Sequence, residues 1–148
     1  MNLQIVCLSS ATVHMIRTNG TIAQISGLLA LSQGTKNQEQ HIFEAIRDQN
    51  TEVLVARMGH NEILGFLTLH VIHTMRGPYA LINDLVIHPS SYGQDVGRRL
   101  LQSAHASARI KGCDRVILNC IDWSVEAMVL YRSLGYELQD TGLFAYLG

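Results

Sequence analysis

The first half of the chain alternates between short apolar runs, typical of strands, and apolar positions at helical spacing. The run Leu3 to Leu8 predicts a first strand, which the pattern over Thr12 to Arg17 would extend. Two helices are predicted next. Asn19 and Thr21 offer caps to the first, and Asn37 followed by Gln40 resembles a capping box for the second. Their apolar stripes are Ile22, Ile25, Leu28 and Leu29 in one and Ile42, Phe43 and Ile46 in the other.

Three strands joined by turns should follow these helices. The triplets Gly59-His60-Asn61 and Arg76-Gly77-Pro78 have the composition of turns, and Gly65 is expected to mark a bulge. The predicted strands are Glu52 to Met58, Glu62 to Thr74 and Tyr79 to His88.

In the second half the apolar period changes to that of a long helix. Its stripe is Val96, Leu100, Leu101, Ala104 and Ala108, and it should end near Gly112. Arg115 to Ile121 is nearly all apolar, which predicts a strand buried on both faces. A last helix carries Ala127, Leu130, Tyr131 and Leu134, and two short strands, Tyr136 to Gln139 and Leu143 to Leu147, end the chain.

The predicted order is therefore β-α-α-β-β-β-α-β-α-β-β. It describes an α/β fold with a mixed sheet of about six to seven strands and about four helices. With 148 residues and no internal linker, the chain is expected to form one domain over residues 1–148.

Composition excludes several kinds of partner. The net charge is −1 and no basic run accompanies aromatic residues, so no nucleic-acid or membrane partner is expected. Three cysteines without motif spacing argue against a disulfide framework or a zinc site, and favour a cytoplasmic setting. His70 and His73 are three apart in a predicted strand, so they face opposite sides and do not predict a metal pair.

The segment Leu85 to Leu101 predicts a strand, a glycine-bearing loop and the start of a helix. Such a junction points backbone N–H groups out of a positive helix end, which suits a phosphate. Gly93 and Gly97 would allow close approach of the ligand, and Arg98 and Arg99 add positive charge. From this segment alone, a plain strand-to-helix connection is an equally good interpretation.

The same segment resembles motif A of the GNAT superfamily of N-acetyltransferases, whose pyrophosphate loop reads Q/R-x-x-G-x-G/A. Here the loop is Tyr92-Gly93-Gln94-Asp95-Val96-Gly97. Downstream, Ala127 to Tyr136 resembles motif B, A-x-x-x-Y-x-x-x-G-[FY]. The element order is also similar from end to end, with the specific part lying between Leu81 and Tyr136. The resemblance implies the GNAT fold and acetyl-CoA as co-substrate, without a metal.

The resemblance also implies which residues hold the donor. The backbone of Leu85, Val86 and Ile87 would bind the pantetheine arm, and Ser124 replaces an Asn that often contacts it. The pyrophosphate would lie on the loop and first helical turn, over Tyr92, Gly93, Gln94, Asp95, Val96, Gly97 and Arg98.

Two loop positions depart from the motif. The first is Tyr92 in place of Arg or Gln, and the fourth is Asp95 in place of Gly. The aminoalkylphosphonate acetyltransferase branch is similar in carrying Asn at the fourth position. If Asp95 pointed inward at about 6 Å, it would repel each pyrophosphate charge by roughly 2–3 kcal/mol before screening. It would cause no such loss if it pointed outward and bound Arg98 or Arg99.

For catalysis, Tyr131 matches the general acid of the family, although its helical stripe also fits a core tyrosine. The general base is less defined, because Asn83 and Asn119 occupy positions where relatives carry Glu. Asp84 is the nearest carboxylate, with His88 and Asp122 as alternatives, although a strand-end carboxylate held by backbone or arginine contacts explains Asp84 equally well.

These observations predict an N-acetyltransferase that moves an acetyl group from acetyl-CoA to a small-molecule primary amine. The alternatives are a catalytically degenerate module that binds CoA or a small ligand, and an O-acyl or longer-chain acyl transferase. A homodimer is expected by analogy with the family.

Overall fold

The computed structural model describes residues 2–9, 20–34, 38–59, 62–91, 95–119, 122–139, 145 and 147. Within these ranges the helices and strands follow the predicted order. The strands are β1 (Leu3–Leu8), β2 (Thr51–Met58), β3 (Glu62–Thr74), β4 (Gly77–Ile87) and β5 (Val116–Leu118). The helices are α1 (Thr21–Gln33), α2 (Glu39–Arg47), α3 (Val96–Ile110) and α4 (Val125–Ser133), with a short 3₁₀ turn at Pro89–Ser91.

The strands form one mixed sheet in the order β1-β2-β3-β4-β5. The first four are antiparallel neighbours, whereas β5 runs parallel to β4. A parallel neighbour needs a crossover, and α3 supplies it between β4 and β5. The α/β fold class is therefore confirmed.

Each face of the sheet is covered by a pair of helices. On one face α1 and α2 pack through Ile25 and Ile46, which are 1% and 0% exposed. On the other, α3 packs through Leu100 and Leu101, both 0% exposed, and α4 adds Tyr131. Burying each of these aliphatic side chains contributes about 1.5–3 kcal/mol, so both layers are needed for a stable domain.

Two bulges change which side chains face which layer. In β3, Leu64 is the extra residue opposite β2, and Gly65 lies beside it as the sequence predicted. In β4, Thr68 pairs with Asp84 and Leu69 with Ile82, which leaves Asn83 without a partner in the ladder. Before the bulge, Ala80 and Ile82 face α3, whereas after it the odd-numbered Leu85 and Ile87 do. The extra residue thus turns Asp84 toward the α1–α2 layer.

Several sequence predictions need correction. The turn before β4 is at Met75 and Arg76, and Gly77 and Pro78 already belong to the strand. Thr21 is the first residue of α1 rather than its cap, because the capping position is Gly20 with φ 80°.

The largest corrections concern the end of the sheet. β5 covers only three residues, all partly exposed, instead of a strand from Arg115 to Ile121 buried on both faces. Residues 136–139 are not in a strand. The described sheet therefore has five strands where six to seven were expected. Asn19, Asn37, Cys120, the stretch 12–17 and most of 143–147 lie outside the described residues.

Candidate active site

Among the described residues, the pairing of β4 with β5 ends halfway along β4, and the edge of β4 beyond this point is called the gap. The Ala80 N–H donates to the Arg115 C=O at 3.0 Å and the Asn119 N–H donates to the Ile82 C=O at 2.8 Å. At the end of this ladder the Asn119 side-chain Nδ2 donates to Oδ1 of Asn83 at 3.1 Å. Beyond this amide pair, the described residues of β4 are paired only with β3. The bulge at Asn83 accounts for the separation, because an extra residue bends and twists its strand away from a neighbour.

Hydrogen-bond alternation decides which backbone groups of β4 reach the open edge. The His88 N–H donates to the Leu64 C=O of β3 at 2.7 Å. In an antiparallel ladder every second residue forms backbone hydrogen bonds with the same neighbouring strand. The backbone groups of Val86 and Asp84 are therefore also directed to β3. The N–H and C=O groups of Leu85 and Ile87 consequently point toward the gap. Leu85, Val86 and Ile87 were predicted to bind the pantetheine arm. The backbone groups of Leu85 and Ile87 are directed to the gap, and those of Val86 are directed to β3.

The start of α3 borders the gap. Asp95 adopts a left-handed conformation, φ 59° and ψ 13°, as the capping residue of this helix. Glycine adopts this conformation most easily and Asp or Asn tolerate it, so the backbone explains why this position suits only a few residue types. The Asp95 side chain is 78% exposed and its Oδ1 lies 3.9 Å from Nε of Arg98. It therefore takes the outward arrangement that the sequence left open.

Gly97 has a packing role that the sequence did not reveal. A Cβ at this position would lie 2.8 Å from Cδ1 of Ile87 and 3.3 Å from Cδ2 of Leu130. Its missing side chain lets α3 approach β4 and α4 closely. The phosphate-binding role predicted for Gly97, Val96 and Arg98 remains a prediction, and Tyr92, Gly93 and Gln94 lie outside the described residues. Arg98 also donates through Nη2 to Oγ of Ser133 at 3.2 Å.

Tyr131 lies in the core between α4 and the end of β5 and is 5% exposed. Its hydroxyl oxygen accepts the Asp122 N–H at 3.3 Å, in the loop that follows β5. Its ring meets that of Tyr136 edge to face, with centroids 6.2 Å apart. A phenol that accepts a hydrogen bond can still donate its own proton. Burial confirms that Tyr131 is a core residue, and its role as general acid remains a prediction.

Asp122 and Ser124 organise the start of α4. Oδ1 of Asp122 accepts the Ser124 N–H at 2.9 Å, and Oγ of Ser124 caps the helix by accepting the Ala127 N–H at 3.2 Å. These bonds explain both residue types without a ligand. The pantetheine contact of Ser124 and a base role of Asp122 gain no support from them.

Asp84 lies on the opposite face from Tyr131, in a small cavity under α1 and α2. Its Oδ2 accepts the hydroxyl of Thr68 at 2.8 Å, and the same hydroxyl oxygen accepts the Asp84 N–H at 3.2 Å. Thr68 is 7% exposed, so this reciprocal pair fixes the carboxylate. The cavity measures about 220 Å³ and its lining is mostly apolar, comprising Ile25, Leu29, Gln33, Gln38, His41, Ile42, Ala45, Val53, Phe66, Thr68 and Asp84.

His88, the other candidate base, is used in a turn. Its Nδ1 accepts the Ser90 N–H at 3.1 Å and lies 2.7 Å from the Ser90 hydroxyl. This arrangement closes the 3₁₀ turn after β4, which is sufficient reason for a histidine there.

A larger cleft of about 710 Å³ lies beside β5 and α4. Among the described residues predicted to bind the donor, only Tyr131 lines it, together with Asn119, Arg132 and residues 135–139. This cleft therefore adjoins the gap between β4 and β5 but does not coincide with the predicted donor site.

The structure thus brings Leu85, Ile87 and Asn83 to one gap, with Asp84 and Tyr131 on either side of the sheet. Sequence reasoning missed Thr68 and the Asn83–Asn119 pair, because their roles depend on a bulge that no local pattern announces. Within the described ranges, no three His, Cys, Asp or Glu side chains are grouped as a metal ion would require. No described helix is both long and apolar enough to cross a bilayer.

Comparison with known proteins agrees with this geometry. The sequence profile of the acetyltransferase (GNAT) family matches residues 24–136. Thialysine N-epsilon-acetyltransferase from Bos taurus is 32% identical over 64 residues, which cover 43% of this chain and 38% of the bovine protein. The match thus spans less than half the length of that relative.

Solved structures share the whole fold. An aminoglycoside acetyltransferase from an uncultured soil metagenomic sample, in complex with trehalose, has a TM-score of 0.79 at 23% identity, covering 99% of this chain and 97% of that one. A structure described as a transcriptional regulator from Bacillus halodurans has a TM-score of 0.78 at 24% identity, covering 99% and 100%. The chain belongs to the GNAT acetyltransferase family.

Proposed function

We propose that the protein transfers an acetyl group from acetyl-CoA to the primary amine of a small molecule, by direct attack within one ternary complex. The observation that carries this proposal is the gap between β4 and β5, with a fixed carboxylate on one side and a buried phenol on the other. Members of the GNAT family use acetyl-CoA, and the names of the bovine and metagenomic proteins describe acetyl transfer to amines.

The donor would add to β4 as a strand adds to a sheet edge. Backbone groups of Leu85 and Ile87 point into the gap and would bind the amide groups of the pantetheine arm. The first turn of α3 would hold the pyrophosphate through its N–H groups, with Arg98 beside them. The outward position of Asp95 supports this arrangement, because its carboxylate then points away from the place proposed for the pyrophosphate.

The acceptor would enter the cavity under α1 and α2. A volume of about 220 Å³ is below the roughly 300–1,000 Å³ of pockets that hold drug-sized ligands. Apolar walls from Leu29, Ile42 and Phe66 suit a short aliphatic stem, and the carboxylate of Asp84 suits a cationic amine. Thialysine, named for the bovine relative, is an acceptor of this size, whereas a whole aminoglycoside exceeds it.

In the reaction Asp84 would take a proton from the ammonium group, directly or through water. The freed amine nitrogen then bonds to the thioester carbonyl carbon as the carbon–sulfur bond breaks. Tyr131 would donate its hydroxyl proton to the departing thiolate or stabilise it by a hydrogen bond. The attacking nitrogen would lose its second proton to water as the amide forms, and the Tyr131 phenolate would regain a proton from water. The cytoplasmic setting, the absence of a metal requirement and a homodimeric state are further parts of this proposal.

Titration calorimetry with acetyl-CoA, followed by a panel of small primary amines, tests the proposal. Micromolar donor binding and acetyl transfer to short amines are expected. Asp84→Asn and Tyr131→Phe should each lower kcat by about a hundredfold with the KM for acetyl-CoA little changed. Asp114→Asn and Tyr79→Phe, at positions outside the site, serve as matched controls.

The alternatives give different results. Donor binding without transfer to any amine would favour a CoA-responsive module. No binding at millimolar acetyl-CoA would contradict the donor site altogether. Full turnover by Tyr131→Phe would remove the acid role of that residue and leave only its packing role.

A further inference from the structure

A chain of aromatic side chains connects α3 to Tyr131. Nε2 of His105, on α3, lies 2.6 Å from the hydroxyl oxygen of Tyr136, and the two rings are 5.3 Å apart. The Tyr136 ring in turn meets the Tyr131 ring edge to face at 74°. A backbone bond from the Tyr136 N–H to the Tyr131 C=O, 3.0 Å long, joins the same two residues. The Tyr131 ring thus packs against Tyr136, and Tyr136 is itself held by His105 on α3.

The hydrogen bond in this chain is between neutral groups. Partial burial lowers the pKa of His105, and the charge of Arg109 lowers it further. The imidazole is therefore neutral near pH 7 and forms a single directed bond with the Tyr136 phenol. The hydrogen bond satisfies a polar atom on each ring and fixes the position of the Tyr136 ring relative to α3.

The other end of Tyr131 is also held. Its hydroxyl accepts the Asp122 N–H, so the ring is fixed at its edge by Tyr136 and at its oxygen by the loop after β5. A proton donor must be placed within about 0.5 Å to act well, and a displacement of about 1 Å can cost a hundredfold in rate.

We propose that His105 and Tyr136 are positioning residues, which hold the phenol of Tyr131 at the angle required to protonate the leaving thiolate. This inference rests on the proposed function. Both would act through Tyr131. His105 lies on α3, outside the motif that contains Tyr131. It therefore fixes the orientation of the Tyr136 ring from a second helix.

The test compares the same substitutions with and without the Tyr131 hydroxyl. Tyr136→Phe and His105→Leu should each lower kcat by about three- to tenfold while the KM values for donor and acceptor stay unchanged. His105→Gln keeps a hydrogen-bonding group and should restore part of the rate. In the Tyr131→Phe background, Tyr136→Phe and His105→Leu should change kcat no further.

The combined variants separate positioning from general support of the fold. If both residues only stabilise the structure, their substitutions would lower kcat equally in both backgrounds, and the inference would be overturned. It would also be overturned if neither substitution changed kcat in either background. Ser107→Ala is the matched control. Ser107 lies on the same helix as His105, and the substitution removes the hydrogen bond that its hydroxyl donates to Glu52 on β2.

A spectroscopic readout decides the matter even if the protein transfers no acetyl group. In protein labelled with 3-fluorotyrosine, the fluorine resonance of Tyr131 can be assigned by its loss in Tyr131→Phe. His105→Leu should shift or broaden this resonance, although His105 is bonded to Tyr136 and not to Tyr131. A spectrum like that of Ser107→Ala would contradict the inference, while missing turnover in the wild type would contradict only the proposed function.

Discussion

The two halves of β4 have the same strand geometry but different surroundings. The inner half, through Ile82, is hydrogen-bonded to β3 on one side, and its residues Ala80 to Ile82 also pair with β5 on the other. The outer half, from Asp84 to Ile87, has β3 alone as its strand neighbour among the described residues. Asn83, the bulged residue, is the boundary between them. Between Ala80 and Ile82, β4 has a strand neighbour on both sides, whereas in the outer half alternate backbone groups point to the gap.

This difference teaches that an open strand edge, here the proposed donor site, can be made by interrupting a sheet without adding any new element. Unpaired backbone N–H and C=O groups are costly when buried, so the open edge calls for a partner that supplies its own hydrogen bonds. The predictions below either break the contrast between the two halves or make it sharper.

The largest effect is expected in amide hydrogen exchange along β4. The amides of Val86 and Asp84 are in the ladder with β3, so they should exchange at least about a hundredfold more slowly than those of Leu85 and Ile87. Acetyl-CoA should protect Leu85 and Ile87 and leave Val86 nearly unchanged. Exchange measured by NMR checks both statements, and equal exchange at all four amides would contradict the alternation inferred here.

A second test concerns how firmly the outer half is held. A Cβ at Gly65 would lie 2.9 Å from the Val86 carbonyl oxygen and 3.2 Å from Cγ1 of Val96. Because the nearest atom is backbone, Gly65→Ala should destabilise the protein by about 2–3 kcal/mol. Denaturant unfolding measures the change.

The control for this substitution is Gly27→Ala, on α1. A Cβ there meets nothing within 4 Å, so alanine should stabilise the helix by up to about 1 kcal/mol. If Gly65→Ala were as harmless as Gly27→Ala, the close approach of β4 and α3 to β3 would be wrong.

A smaller effect is expected from Asp95→Asn at the start of α3. Asparagine tolerates the left-handed backbone at φ 59° and removes the charge. The Asp95 side chain is 78% exposed, so solvent screens its repulsion of a pyrophosphate. Donor affinity should rise about two- to fivefold, more at low salt, as measured by calorimetry. Asp114→Asn controls for net charge, and weaker binding by Asp95→Asn would mean that Asp95 assists the donor.

The smallest effect should come from titration of His105. Its pKa in the folded state lies below the value of 6.5 expected for an unfolded chain, first because of burial and then because of Arg109. A group with a lowered folded pKa contributes its full stability above pH 6.5 and loses it as the pH falls through the folded value. The Tm should therefore decline over this window in the wild type, and less steeply in His105→Leu. An equal decline in both would assign the acid sensitivity to other groups.

Much of the fold could be predicted because apolar periodicity is local. The stripes of α2 and α3 and the runs of β1 to β4 carry their own signal, so their order and approximate bounds were confirmed. β5 was predicted too long, since an apolar run shows burial but not where pairing stops. The predicted strand at residues 136–139 is not found, and the other predicted closing strand, Leu143 to Leu147, lies mostly outside the described residues.

The candidate site was less predictable. Tyr131 and the loop could be located from motif spacing, and their roles remain predictions. The bond between Thr68 and Asp84, the amide pair Asn83–Asn119 and the contact between His105 and Tyr136 join residues far apart in sequence. Each depends on the register of the sheet or on the packing of two helices, which no single stretch of sequence encodes.

The bulge at Asn83 also affects how this sequence can vary over evolutionary time. The additional residue reverses the side-chain alternation. The residues before it therefore pack against different neighbours from those after it, and the two stretches can vary separately. Substitutions around Asp84, on the α1–α2 side, can accumulate without repacking Ala80 and Ile82 against α3. Deletion of that single residue would, by contrast, exchange the inner and outer sides of everything after it. Lineages should therefore keep the number of residues at this position unchanged.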